Sequence, residues 1–313
     1  MSFRWLVIGI GDITTKRVLP AILAEPRSTL AGIVTRSPGK AAVYGVPGWP
    51  DLETGLRESA ADAVYVATPV FLHAPQTIAA LRAGKHVLCE KPMAMNYEEA
   101  VSMQRAAEAS GRTFGVAYYR RMYPKMDRAR QLIAAGAIGR PVFAEATAHD
   151  WFVLPAGFRE WITDPALAGG GPLRDIASHR IDLMNYLFGK PERVSGHLST
   201  LVQQVAVEDN ATVMIEYDSG ARALVDVRWH SRVVRDEFRI RGTEGELDLS
   251  PLNAPDLATP AGREEVHAPS NLHYPCVADF VSAVEEGRAP RSSGATALPA
   301  EWVMDQAAAQ CAL

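Results

Sequence analysis

Asp175, His179 and Asp182 lie at i, i+4 and i+7 within Gly169-Gly170-Gly171-Pro172-Leu173-Arg174-Asp175-Ile176-Ala177-Ser178-His179-Arg180-Ile181-Asp182. On a helix that spacing gathers two carboxylates and an imidazole on one face, while Ile176, Leu183 and Leu187 line another. Imidazole titrates near neutral pH, so such a stripe has the chemistry of a proton donor and acceptor. The same spacing suits a helix-surface ion pair worth roughly a few tenths of a kcal/mol. It also suits two metal ligands, although no third ligand accompanies them at a defined spacing. Three glycines then proline make a flexible approach to a helix whose first position suits proline.

Gly9-Ile10-Gly11-Asp12-Ile13-Thr14 follows one apolar run and opens a helical one, the setting of a dinucleotide-binding turn. Gly9 permits the tight turn, and Gly11 lets the backbone approach a pyrophosphate at the helix N-terminus. Thr14 stands where a third glycine would ease helix–strand packing. An acidic residue about 20 positions on would accept the ribose hydroxyls of NAD, and none is there. The second strand instead ends Val34-Thr35-Arg36-Ser37 with Lys40 beyond it. Arg36 suits a 2′-phosphate and adenine stacking, which favours NADP over NAD; read alone, it is also an ordinary surface arginine. Cys89-Glu90-Lys91-Pro92 closes the apolar run over 86–90, at the edge where open α/β sheets bind ligands. A lysine before proline is held extended, and Glu90 can set its charge state. Taken alone, Glu90 and Lys91 also read as a surface ion pair.

These groups need elements to hold them. Apolar β-rich runs over 4–9, 30–35, 63–68, 86–90 and 113–118 alternate with helix-like segments over 18–25, 73–83 and 97–110. Gly84 and Gly111 follow the last two helices as stops. Strands apolar along nearly their whole length, separated by helices, predict a doubly wound parallel α/β domain over 1–121. Beyond it, helices near 124–135 and 172–188 precede period-two segments over 194–203, 211–217, 221–229 and 237–241. Asp218-Ser219-Gly220 and Gly242-Thr243-Glu244-Gly245 are turn signals. This pattern predicts an α+β domain over 122–313 with a large open, mainly antiparallel sheet. Helices near 274–286 and 298–311 close the chain.

Composition bounds the function. The 313 residues suit two domains, 48% are apolar, and 32 basic against 36 acidic side chains leave a formal charge of −4. No field of that kind holds a polyanion, so nucleic acid is not an expected partner. No apolar run reaches the roughly 18 residues of a membrane span. The first apolar run stops at Asp12 and lacks a small-residue cleavage site, unlike a signal peptide. Cys89, Cys276 and Cys311 are odd in number without C-x-x-C spacing, which suits a reducing, cytoplasmic setting. Eight scattered histidines offer no structural metal site.

Taken together, the turn at 9–14, Glu90-Lys91-Pro92 and the run over 169–182 resemble the glucose–fructose oxidoreductase/inositol dehydrogenase/rhizopine-catabolism (Gfo/Idh/MocA) family. Thr68-Pro69 with His73, Ala83-Gly84-Lys85-His86-Val87, and Gly136-Ala137-Ile138-Gly139-Arg140-Pro141 extend the resemblance over almost the whole chain. It implies a Rossmann domain in which Gly9, Gly11, Asp12, Ile13, Thr35, Arg36, Ser37, Thr68, Pro69, His73, Glu90 and Lys91 serve NADP or NAD. It also implies roles: Lys91 contacts the reacting hydroxyl or carbonyl and the nicotinamide ribose, His179 donates or accepts the proton, and Asp175 orients substrate. Tyr119, Arg121, Trp151, Arg159 and Trp161 fall where family members place substrate-pocket residues, though aromatics and arginines also fill interfaces. Thr14 and Ala177 depart from the family's usual small residues without removing a reactive group.

The implied function is an NAD(P)-dependent oxidoreductase, NADP favoured, acting on a sugar, polyol or related carbonyl compound. Its implied assembly is a homodimer or homotetramer through the C-terminal sheet, whose outer positions are expected to be apolar. The family also holds glycosidases that use transient oxidation and regulators that bind dinucleotide without turnover. Joint presence of Lys91, Asp175 and His179 favours turnover over binding alone.

Overall fold

The computed structural model describes residues 2–153 and 160–311. They form two compact units. One runs through Tyr119 and takes in Pro269–Leu298; the other comprises Arg120–Ala268 and the residues from Pro299 onward. A single cut after residue 121 therefore misses the return of 269–298 to the first unit. Packing explains that return. Helical periodicity shows that a segment has an apolar face but not which core will cover it.

The first unit is a six-stranded parallel sheet of order β3-β2-β1-β4-β5-β6. Its strands are β1 (Phe3–Ile8), β2 (Ser28–Val34), β3 (Gly48–Trp49), β4 (Ala63–Val66), β5 (His86–Cys89) and β6 (Phe114–Val116). Trp5, Leu6, Val7 and Ile8 are all essentially buried, as are all four residues of β4. Each large apolar side chain buried this way stabilises the fold by roughly 1.5–3 kcal/mol. Helices α1 (Leu19–Ala24), α2 (Leu52–Glu58), α3 (His73–Arg82) and α4 (Tyr97–Ser110) connect the strands. Helix α4 begins where Asn96 accepts the Glu99 N–H and ends at Gly111 with φ +63°, as its sequence predicts. Helix α2, capped by Asp51 accepting the Thr54 N–H, was not predicted; only seven residues long, it offers little periodicity to read. The returning segment adds a further helix to this unit, running Tyr274–Glu286. There Arg27 donates to Ser282 and Glu285, and the Phe280 ring lies 5.4 Å from that of Trp5.

Chain order reverses between β1 and β4, so the carboxyl ends of these two neighbours form the switch point where such sheets bind ligands. The Gly9 turn follows β1 and Thr68-Pro69 follows β4.

In the second unit, α5 (Pro124–Ala134) leads into β7 (Pro141–Trp151), followed by α6 (Pro165–Ala168) and α7 (Ser178–Phe188). Then come β8 (Pro191–Ser199), β9 (Asn210–Tyr217), β10 (Arg222–Arg228), β11 (His230–Gly242), β12 (Glu246–Asp248), β13 (Asp256–Thr259) and β14 (Gly262–Glu265). The sheet order is β14-β13-β12-β11-β7-β10-β9-β8, antiparallel except for the β7–β10 pair. Helix α8 is the returning Tyr274–Glu286 helix, and α9 (Gly294–Ala309) closes the chain. Helix α9 starts four residues before the expected 298, because Ser293 caps its first turn through Thr296. Pro299 then falls inside it.

Strand β7 escaped the sequence reading. Its inward residues Ala144, Ala146 and Ala148 are small, so the alternation lacks large apolar markers. The second expected strand boundary also shifts: β8 ends at Ser199, not near 203. Asp209 draws the N–H groups of Leu201, Val202 and Gln203 onto its carboxylate and turns the chain.

The outward positions of this sheet are mixed, half-buried Phe143, Met214 and Leu224 standing among charged residues, which corrects in part the expectation of an apolar outer face. Arg241 pairs with Glu145 and Glu246, Arg239 with Glu145 and Asp248, and His149 Nε2 lies 2.6 Å from Asp226. Period-two alternation marks one face as buried but leaves the composition of the other open.

Candidate active site

Gly9 has φ +92°, and a Cβ there would sit 2.6 Å from the Ala67 carbonyl oxygen. Only glycine fits that turn. At Gly11 a Cβ would meet nothing within 4 Å, so the backbone faces open space beside the helix start. The helix does not begin as a regular α-helix. Thr14–Val18 form a π turn, closed by the Leu19 N–H donating to Thr14, before α1 takes over. Thr14 is fully buried where a third glycine was expected, and its hydroxyl finds no partner among the described residues. Asp12 pairs with Lys16 at 2.6 Å, and Ile13 is partly exposed.

At the end of β2, the Thr35 N–H donates to Trp49 and its hydroxyl accepts the Ser37 N–H. Arg36 and Ser37 are exposed, and Arg36 has no acidic partner among the described residues. Thr68 donates to Gln76, and the following Pro69 leads into the turn at Val70–Leu72. His73 is buried and clamps two loops: Nδ1 lies 2.9 Å from the Pro92 carbonyl, and Nε2 lies 2.9 Å from that of Thr68. Burial lowers its pKa although both carbonyls raise it. His73 thus braces the Thr68 loop against the Lys91 corner.

Glu90 and Lys91 stand just beyond β5, at the carboxyl edge of the parallel sheet. Glu90 is 6% exposed. Its Oε1 accepts from the Tyr65 hydroxyl at 2.7 Å and lies 3.1 Å from His273 Nε2. Burial raises the Glu90 pKa, but His273, Tyr65 and Lys91 outweigh it and hold the carboxyl below its ordinary value. Glu90 is therefore an ionised buried acid. Lys91 is partly exposed, and its peptide bond to Pro92 is cis.

In the second unit, Gly171 passes so close to the Glu208 backbone that a Cβ would lie 2.1 Å from its carbonyl oxygen. The buried Glu208 carboxylate accepts the Leu173 N–H at 3.1 Å, just where the helix carrying Asp175 and His179 begins. Burial raises the Glu208 pKa, opposed by the backbone N–H groups of Gly171 and Leu173. A second π turn, Leu173–Ala177, opens this helix before α7. π turns are rare and concentrate at functional sites. Arg174 anchors the turn to α9 through Glu301 and Asp305. Asp175 is partly buried and His179 is 4% exposed, four residues apart across the π–α junction.

Asp182 turns to a separate task. Its carboxylate takes both the Nε and Nη2 of Arg121, and the two side chains are almost wholly buried. Of the three-residue stripe, Asp182 is thus committed to Arg121. Tyr119 packs its ring against His273, with centroids 4.5 Å apart. Trp151 ends β7 beneath the Arg232 guanidinium, and Trp161 packs against Ile162, Val207 and Trp229. Arg159 lies outside the described residues.

Sequence reasoning missed Tyr65, Glu208, Asn271 and His273. No local pattern marks them, because their partners are far along the chain, 183 positions for His273 and Glu90. The described residues contain no group of three or more His, Cys, Asp or Glu side chains placed to hold a metal ion. No described helix is long and apolar enough to cross a membrane. The Gly9 turn, the open space at Gly11 and the adjoining helix start fit a dinucleotide pyrophosphate.

Comparison with known proteins gives the same outline. A family model described as "Oxidoreductase family, NAD-binding Rossmann fold" matches residues 3–118, and one described as "GFO/IDH/MocA C-terminal domain" matches residues 126–248. The 1,5-anhydro-D-fructose reductase of Ensifer adhaerens is 32% identical over 304 residues, covering 93% of this chain and 91% of that protein. D-xylose 1-dehydrogenase (NADP(+)) 2 of Haloferax volcanii is 30% identical over 301 residues, covering 91% of this chain and 90% of that protein. A solved levoglucosan dehydrogenase in complex with NADH and levoglucosan superposes with a TM-score of 0.89 at 27% identity, covering 100% of this chain and 97% of that one. The aldose-aldose oxidoreductase from Caulobacter crescentus, complexed with glycerol, has a TM-score of 0.88 at 27% identity, covering 99% and 98%.

Proposed function

The chain belongs to the Gfo/Idh/MocA family of NAD(P)-dependent dehydrogenases and reductases, and from that membership we propose that it oxidises or reduces a sugar, polyol or related carbonyl compound with NADP as preferred coenzyme. The observation that carries this reading is the Glu90-Lys91 corner, a partly exposed lysine beside an ionised buried carboxylate at the carboxyl edge of the parallel sheet. When bound, the nicotinamide supplies the hydride donor or acceptor. Gly9, Gly11, Asp12 and Ile13 hold the pyrophosphate end, and Thr68, Pro69 and the His73-braced loop line the switch point. Lys91 stabilises negative charge on the reacting oxygen. His179 moves the hydroxyl proton, and Asp175 orients substrate. Tyr119, Trp151 and Trp161 are the substrate contacts this reading assigns.

Preference for NADP is supported by the end of β2, where exposed Arg36 has no acidic partner among the described residues and no acidic residue takes the ribose-binding place. The names of the Haloferax xylose dehydrogenase and of the levoglucosan dehydrogenase complex, one with NADP and one with NADH, leave room for either coenzyme among relatives. Cys89, Cys276 and Cys311, which form no disulfide with one another among the described residues, support a cytosolic setting. The open eight-stranded sheet supports a homodimer or homotetramer, with a polar ladder of ion pairs supplying the match between copies.

The test is a paired titration with NADPH and NADH, followed by tryptophan quenching, then a sugar and polyol screen read as nicotinamide absorbance. NADPH should bind more tightly, and Arg36→Ala should weaken it about 10- to 100-fold while sparing NADH. Stoichiometric absorbance change in the screen identifies net oxidoreduction. Binding of neither coenzyme would overturn the reading.

A further inference from the structure

His273 belongs to the segment that returns to the first unit, and it is 2% exposed. Its Nε2 lies 3.1 Å from Glu90 Oε1. An ionised carboxylate only accepts, so Nε2 donates in this contact. Tyr65 donates to the same oxygen, and the Lys91 N–H approaches Glu90 Oε2 at 3.3 Å. His273 is held in turn. Its ring packs on Tyr119, and its N–H donates to Asn271 Oδ1 at 2.9 Å. Asn271 Nδ2 then donates to the Arg17 carbonyl at 2.9 Å. Arg17 lies in the π turn that opens the Gly9 helix. One three-residue stretch thus touches both the dinucleotide turn's helix and the Glu90-Lys91 corner.

We infer that residues 271–273 form a positioning strap, in which His273 locks Glu90 and thereby Lys91 while Asn271 holds the cofactor-facing helix. The inference rests on the reading that Lys91 serves the chemistry. Its physical basis is the cost of an ionised, buried carboxylate that loses a donor. Without His273, the Glu90 carboxylate draws harder on Lys91, the other positive group acting on it, and shifts that amine from its place in the site. His273 is therefore a positioning residue acting through Glu90.

The amine itself reports this, independently of any substrate. Lys91 of the full chain is reductively methylated with formaldehyde and cyanoborohydride, and its rate is read by peptide mass spectrometry. The samples are wild type, His273→Ala, His273→Gln, Glu90→Gln and the His273→Ala/Glu90→Gln double variant, with NADPH titrated into each. His273→Ala should slow Lys91 labelling about tenfold, and His273→Gln, which keeps an N–H donor, should restore it to within about threefold. In the Glu90→Gln background the His273→Ala effect should vanish. Wild-type labelling in His273→Ala, or an equal slowdown without the Glu90 carboxylate, overturns the strap. If circular dichroism shows His273→Ala unfolded, Asn271→Ala carries the test. It should slow Lys91 and weaken NADPH binding, and no change in either overturns the strap. A wild type that binds neither NADPH nor NADH refutes the oxidoreductase reading alone, since the labelling comparison still decides the strap.

Discussion

Arg121 and Asp182, 61 positions apart, meet as a buried ion pair in which the guanidinium donates through Nε and Nη2 to the two carboxylate oxygens. Burial raises the Asp182 pKa to about 6, opposed by Arg121, so the carboxyl is ionised at neutral pH. A pair sealed in this way anchors the start of the second unit to the helix that carries His179.

Breaking one side of that pair leaves an uncompensated buried charge. Arg121→Met should cost about 3–5 kcal/mol of stability, whereas the double change Arg121→Met/Asp182→Leu should recover most of it. Urea denaturation of the two variants checks this. Equal losses would mean that Arg121 acts elsewhere than on Asp182.

Two glycines of the same turn should separate structural from functional need. Gly9→Ala forces a Cβ to within 2.6 Å of the Ala67 carbonyl oxygen at positive φ, so it should destabilise the protein by more than about 1 kcal/mol. Gly11→Ala meets no protein atom within 4 Å. It should fold normally yet bind NADPH at least about tenfold more weakly, because the methyl group takes space beside the pyrophosphate. Melting curves and coenzyme titration together make the distinction; a Gly11→Ala protein that binds normally would remove that glycine from the site.

Glu90 has a pKa depressed below its ordinary value, so its contribution to stability is complete above about pH 4.5 and is lost as pH falls through the lower native value. Thermal unfolding between about pH 6 and 3 should therefore show wild type losing more stability on acidification than Glu90→Gln. A constant gap between the two curves would show that Glu90 titrates normally in the native state.

Loss of the proposed charge stabiliser or proton carrier should reach the chemical step. On the sugar or polyol found by the screen, Lys91→Ala and His179→Ala should each lower kcat about 100- to 10,000-fold. His179→Ala should leave NADPH affinity near wild type. Turnover within a factor of two of wild type in either variant would refute its role.

The sequence by itself determined which local elements form and which reactive groups they carry. Near-continuous apolar runs such as Trp5-Leu6-Val7-Ile8 can be satisfied only by burial on both faces, and the intervening helices force those strands parallel. The Gly9 turn, the Lys91 corner and the 169–182 run are local strings, so a family resemblance could be read from them directly. Strand β7 was less legible because its inward side chains are alanines, and α2 because it is short.

Only the tertiary structure decided the partners. Asp182 looked like a third member of the Asp175–His179 stripe until Arg121 claimed it. His73, whose motif is local, braces two loops through the Pro92 and Thr68 carbonyls, contacts that no local string announces. Residues 269–298 left the half to which chain order assigned them and carried His273 to Glu90. In each case the deciding term is an interaction between groups far apart in the chain and close in space. Burying a charge requires a specific partner, and periodicity, which records only which side of an element is covered, carries no information about which distant group will meet it.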